Sequence, residues 1–127
     1  MIIYGKQLIL HLLKSYPERI ETIFLAKECE PKLFSQMARV TDKICRIDEK
    51  KAQALSRGGN HQGFIAQIKD VELSSFNELK KGNFLVVLDE VTDVGNIGAI
   101  VRSAYAFGAD GLILSGVKTC NLEAILR

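Results

Sequence analysis

Two stretches of the 127-residue chain carry residue types at spacings that suit chemistry on an anionic ligand. The first is Leu88–Gly116, LDEVTDVGNIGAIVRSAYAFGADGLILSG. Its polar loop, Asp89–Gly95, leads into a helix N-terminus, where free N–H groups and the positive dipole end favour an anion. Gly95 and Gly98 permit close approach of backbone or ligand. Arg102 lies off the apolar stripe of Ile97, Ile100, Val101, Ala104 and Gly108. Helical side chains lean toward the N-terminus, so its guanidinium reaches back over the bare Gly98 toward the loop. Five fixed donors suit a phosphate or a developing oxyanion. A surface arginine, or one paired with Asp89 or Asp93 to hold the loop, fits the same spacing.

The second stretch is Arg57-Gly58-Gly59-Asn60-His61-Gln62-Gly63. Arg57, Asn60, His61 and Gln62 in a glycine-rich loop offer donors for phosphates or unstacked bases. A polar turn, with His61 and Gln62 satisfying nearby backbone, also fits and is the simpler reading of this loop taken alone. Other nucleotide motifs fail. Gly95-Asn96-Ile97-Gly98 is GxxG, not GxGxxG, and no Walker lysine follows the glycines. Cys29, Cys45 and Cys120 form no CxxC pair, so neither a metal site nor a disulfide scaffold is expected, and a reducing cytoplasm is.

The elements that must position these residues are readable from periodicity. Leu8, Ile9, Leu12 and Leu13 mark a helix over Gly5–Lys14, which Tyr16-Pro17 stops. Ile20–Ala26 reads as a strand. Pro31 opens a helix with Leu33, Phe34, Met37 and Val40 on one face. Lys43–Ile47 is a short strand. Asp48 caps a helix through Leu55, ended by Gly58-Gly59. Phe64–Ile68 is an alternating strand. Residues 71–82 form a linker with a short helix started by Ser74 or Ser75. Phe84–Leu88 is a continuous apolar run, as in a parallel strand buried on both faces. Asn96 caps a helix to Phe107, with Gly108 as its stop, and Gly111–Leu114 is a second buried strand. Together these predict a right-handed parallel crossover. A last helix covers Leu122–Leu126. The fold class is therefore α/β: a small domain over 1–70, then the start of a second over 83–127. Two strands and one helix cannot cover both faces of a sheet, so a longer protein is expected.

Composition narrows the class further. Hydrophobic residues are 47% and charged residues 25%, which excludes a disordered tail, a collagen or a coiled coil. The longest aliphatic run is too short to cross a bilayer, and no signal peptide or membrane partner is expected. Residues 1–70 hold 12 Lys+Arg against 8 Asp+Glu, a net +4; residues 71–127 hold 5 against 7, a net −2. A basic front half suits a polyanion, although an ordinary solvated surface has the same charge.

With both stretches in view, the chain resembles the SpoU (TrmH-like) family of RNA ribose 2′-O-methyltransferases, of the SPOUT class with its trefoil-knotted α/β fold. Three segments carry the likeness: Tyr4-Gly5 opening the leading helix, His61-Gln62-Gly63 closing the small domain, and Leu88-Asp89-x-x-x-Asp93-x-x-Asn96-x-Gly98-x-x-x-Arg102-x-Ala104. The resemblance implies that residues 1–70 bind substrate RNA, either ribosomal or transfer RNA with the ribosomal favoured, and that 83–127 begin the catalytic domain. It implies S-adenosylmethionine as cofactor, bound by segments beyond Arg127, and a homodimer through the catalytic domain. Asn96 and Arg102 carry over as active-site residues. Arginine stays protonated in proteins, so Arg102 is expected to hold the hydroxyl and adjacent phosphate and stabilise the forming alkoxide. Asn96 is expected to cap the helix and fix the loop, or to orient Arg102. Val94 stands where the family usually has proline, and the family's second and third motifs are missing. The alternative is a non-catalytic RNA-binding module of the same descent.

Overall fold

In the first seventy residues the apolar positions converge on one sheet, whose central strand forms last in the chain. The protein is described by a computed structural model covering residues 1–118 and 122–125. Cys120 and the expected end of the last helix, Leu126, lie outside the described residues. The chain divides into two units, Met1–Asp70 and Val71–Arg127.

In the first unit, β1 (Ile2–Tyr4), β2 (Ile20–Leu25), β3 (Ile44–Arg46) and β4 (Phe64–Ile68) form a sheet in the order β1-β4-β2-β3. β4 is antiparallel to both β1 and β2, and β2 is parallel to β3. Its central place explains why Phe64, Ile65, Ala66 and Ile68 are all buried, although the sequence alternates. α1 (Lys6–Ser15) buries Ile9 and Leu12, and α2 (Pro31–Ala38) buries Leu33 and Met37, while Phe34 turns outward. Each such burial contributes roughly 1.5–3 kcal/mol, so these stripes rather than helix propensity hold the helices down. α3 (Glu49–Ser56) starts as expected at Asp48, whose carboxylate accepts from the Lys51 N–H at 2.7 Å. It ends through Arg57, itself left-handed at φ 51°, and Gly58. Two elements were not expected: a single 3-10 turn at Pro17–Arg19 after α1, and β1 at Ile2–Tyr4, so Tyr4 ends a strand, and Gly5 at φ 107° turns the chain into α1.

In the second unit, α4 (Phe76–Leu79) is started by Ser75 through a reciprocal capping box with Glu78. β5 (Leu85–Asp89) and β6 (Gly111–Ser115) pair in parallel, as expected, from Leu85↔Gly111 to Asp89↔Ser115. Asp110 ties their first residues, its Oδ2 accepting from Asn83 N–H at 2.8 Å and Phe84 N–H at 2.9 Å. α5 (Val94–Ala106) connects the strands and buries Ile97, Gly98 and Ala104. It stops where expected: Gly108 at φ 75° lets the Ala109 N–H reach back to the Ala104 carbonyl, and its own N–H reaches Tyr105. α6 (Leu122–Ile125) brings Ile125 into the interior. The expected burial of β5 on both faces does not occur: Val87 is 58% exposed. The elements described here are too few to sandwich a sheet.

Candidate functional site

At the carboxyl end of β5 the chain passes through Asp89 and Glu90 into the loop before α5. Glu90 is left-handed at φ 54°, and its N–H donates to the Ser115 carbonyl at 2.9 Å, fixing the two strand ends together. Gly116 completes the turn: a side chain there would meet the Glu90 Cγ at 2.7 Å. The helix then begins three residues earlier than expected. Asp93, not Asn96, is the cap, its Oδ1 accepting from the Asn96 N–H at 2.7 Å. Asn96 sits in the first turn with its side chain exposed, which corrects its assignment as the helix cap. Val94 is the first helical residue, the position where proline's fixed φ is best tolerated, so the family's usual proline fits this geometry.

Arg102 is exposed on α5, and its Nη1 lies 3.4 Å from where a Gly98 side chain would begin. The guanidinium therefore does lie one turn back, over Gly98. Among the described residues no hydrogen bond or ion pair holds it. Pairing with Asp93 is not seen, and that carboxylate is engaged as the cap. Gly98 has a second duty: a side chain would stand 3.0 Å from the Ile125 carbonyl, so its bareness lets α6 close against α5.

The loop before β4 is tied to its surroundings by side-chain and backbone hydrogen bonds. His61 is only 4% exposed. Its Nδ1 accepts from the Gly63 N–H at 3.0 Å, so the proton of the neutral ring is on Nε2, which donates to Glu49 Oε1 at 3.2 Å. Gln53 Nε2 donates to the same oxygen at 3.1 Å, and its 3.2 Å approach to His61 Nε2 is that of two donors sharing one acceptor. That carboxyl is held below the usual range, first by the Gln53 hydrogen bond, which outweighs an opposing burial effect, and then by His61 and Lys27. Both His61 nitrogens are thus engaged within the protein itself. Gln62, left-handed at φ 54°, accepts the Lys6 N–H at 3.1 Å and supplies α1 with the cap that Gly5 lacks. Gly63 must be bare: a side chain would come within 2.8 Å of the Lys27 stem. Tyr4 lays its phenol against Gly59. His61-Gln62-Gly63 is therefore a latch joining α3, α1 and β4.

Arg57, Gly58, Asn60 and Gln62 are the exposed residues of the loop, and the Gln62 side-chain oxygen is engaged by the Lys6 N–H. Sequence reasoning missed two neighbours. Lys6 has its Nζ 6.0 Å over the Phe64 ring, and Lys27 packs across Gly63. The only sequence signal was the glycine itself. Among the described residues, the three non-glycine positions with positive φ are Arg57, Gln62 and Glu90, all at these two sites. Each costs roughly 1–3 kcal/mol, which surrounding bonds must hold in place. Arg57–Gln62 belong to one unit and Asn96 and Arg102 to the other. The carboxyl edge of β5 and β6 carries Asp89, Glu90 and Gly116. No described helix is long and apolar enough to cross a membrane.

Comparison with known proteins follows this division. The family model for RNA 2′-O ribose methyltransferase substrate binding matches residues 2–74, and that of the SpoU rRNA Methylase family matches residues 83–125. The chain belongs to the SpoU family. Among its relatives is the 23S rRNA (guanosine-2′-O-)-methyltransferase RlmB of Haemophilus ducreyi, 33% identical over 98% of this chain and 55% of that protein. The protein of the same name from Escherichia coli K12 is 31% identical over 99% of this chain and 56% of its own length. Among solved structures, the AdoMet-bound rRNA methyltransferase from Sinorhizobium meliloti aligns with a TM-score of 0.72 at 26% identity, covering 98% of this chain and 48% of that one. The chain thus spans about half the length of the SpoU relatives it matches, and its fold is the corresponding part of theirs.

Proposed function

We propose that this chain supplies the RNA-binding domain and the first part of the catalytic domain of an enzyme that methylates a ribose 2′-hydroxyl of ribosomal RNA. The observation that carries this reading is the Arg102 guanidinium, lying over Gly98 beside a capped helix start, within the segment matched by the SpoU methylase model. S-adenosylmethionine, when bound, supplies an electrophilic methyl group. Arg102 remains protonated and donates to the ribose oxygen and the neighbouring phosphate. The 2′-hydroxyl proton therefore passes to another acceptor while the guanidinium stabilises the alkoxide. Asn96, in the first turn of α5, orients substrate or Arg102. In the first unit, Arg57 and Asn60, flanked by Lys6 and Lys27, meet RNA phosphates, and His61 and Gln62 position that loop. The whole enzyme works as a cytoplasmic homodimer paired through its catalytic domain.

The test is methyl transfer from labelled S-adenosylmethionine to 23S rRNA by the protein that carries this chain, with the product digested in alkali. A 2′-O-methyl group removes the nucleophile for backbone cleavage, so the expected product resists alkali at one linkage. Methylation without alkali resistance would mean base chemistry. RNA binding with no methylation would favour the non-catalytic module.

A further inference from the structure

The first unit presents an aromatic and basic cluster at the opposite end of α1 from the His61 latch. Gln62 holds the start of that helix, and Tyr16 follows its last residue. Ten residues at 1.5 Å each place the two ends about 15 Å apart. Tyr16 is 43% exposed and meets the exposed His11 edge to face, with ring centroids 6.0 Å apart and planes at 63°. The Tyr16 N–H donates to the Leu12 carbonyl, and the Arg19 N–H donates to the Tyr16 carbonyl, so its backbone is fixed on both sides. Lys14 and Arg19 flank it, and the Lys69 N–H bonds the Arg19 carbonyl at 2.9 Å, adding a third exposed cation. Glu18 and Asp70 oppose these charges, but the Asp70 carboxylate is held by the Met1 amine at 2.8 Å.

An exposed aromatic ring with a fixed backbone among cations has little use in holding the core, which is formed from α1 by Ile9 and Leu12. It has the makings of a single-stranded nucleic-acid step: a ring face for an unpaired base and cations for the phosphates on either side. We propose that Tyr16 and His11, with Lys14, Arg19 and Lys69, form a second RNA contact that stacks an unpaired nucleotide. This contact rests on the assignment of the first unit as RNA-binding and adds to it a preference for unpaired RNA. Duplex RNA keeps its bases stacked inside and can meet this end only through phosphates.

The test compares binding of the 127-residue chain to a fluorescent 12-nucleotide oligouridine and to a blunt 12-base-pair RNA duplex. Tyr16→Ala is expected to weaken oligouridine binding about tenfold, the equivalent of ~1.4 kcal/mol of stacking, and duplex binding less than twofold. Tyr16→Phe is expected to bind like the parent chain. Lys27→Ala with Arg57→Ala is expected to weaken both probes. Oligouridine affinity of Tyr16→Ala within twofold of the parent, or equal losses on both probes, overturns the stacking contact while leaving the loop contact standing. Failure of the parent chain to bind either probe overturns the RNA-binding assignment and this contact with it. If Tyr16→Ala does not fold, 4-thiouridine cross-linking of the parent chain decides: adducts at Tyr16 or His11 support the contact, and adducts confined to residues 57–62 overturn it.

Discussion

Replacing His61 separates a positioning role from direct contact with RNA. His61→Ala removes a buried ring and leaves the buried Gly63 N–H without its acceptor. An unsatisfied buried donor costs about 1–3 kcal/mol. Truncating a large buried ring to alanine costs about 3–5 kcal/mol in apolar cores, and the smaller, polar imidazole belongs at or below the low end of that range. Together these predict a loss of about 3–4 kcal/mol. A domain of this size holds only about 4–10 kcal/mol in total, so the variant should be near unfolding at 37 °C. His61→Asn is the control. An asparagine oxygen can accept the N–H two residues ahead, as in an Asx turn, and so keeps the Gly63 bond while losing the link to Glu49. It should cost about 1–2 kcal/mol. Hydrogen exchange of the β4 amides reports this unit alone, whatever the second unit does. RNA affinity, measured where each variant is folded, should change less than stability. Two results would refute the latch: alanine and asparagine variants equally stable, or a stable alanine variant with strongly weakened RNA binding.

Three further outcomes follow from the second unit. Asp93→Ala should lower its stability by about 0.5–2 kcal/mol through loss of the α5 cap, whereas Asn96→Ala should leave helix stability nearly unchanged; thermal unfolding with helical circular dichroism checks both. Asp110 is held below the usual carboxylate range, first by the Phe84 N–H and then by the Asn83 N–H. Its contribution to stability is therefore full above the unfolded value near 4 and is lost as pH falls through the lower folded value. The stability gap between the parent chain and Asp110→Asn should thus narrow below about pH 4, and a gap that widens in acid would contradict the assignment. Gly98→Ala gains up to about 1 kcal/mol of helix propensity but presses on the Ile125 carbonyl, a backbone atom. Overpacking costs about 1–3 kcal/mol, so the net change should be a loss, seen as weakened protection of Ile125 in hydrogen exchange.

The parts of this protein legible in sequence are those with local causes. α1, α2, β2 and the Asp48 cap follow from apolar spacing or from one side chain beside its own helix, and so does the Gly108 stop. β1 was not legible because three residues carry no period and its partner β4 is some sixty residues away. The start of α5 was misplaced because Asp89, Thr92, Asp93 and Asn96 are all capping types within eight residues. Val94 and Gly95, poor helix formers, also argued for a later start. In the loop before β4, residue types marked a site of special geometry but not which side chains turn inward. His61 finds its acceptor at Glu49 on another element, so only the fold reveals that the ring faces inward. Arg102 was legible because its position depends on one helix and one glycine.

The proposed chemistry turns on that arginine. In the protein carrying this chain, Arg102→Lys keeps the charge but loses the planar fork of donors. Single-turnover methyl transfer to 23S rRNA and thermal unfolding should be measured on the same parent and variant proteins. A guanidinium that stabilises the ribose alkoxide predicts a rate loss on the order of a hundredfold with an unchanged melting temperature, because Arg102 is exposed and bonded to no described residue. A lysine variant with a near-normal single-turnover rate, or one whose rate falls only as its folded fraction falls, would contradict it.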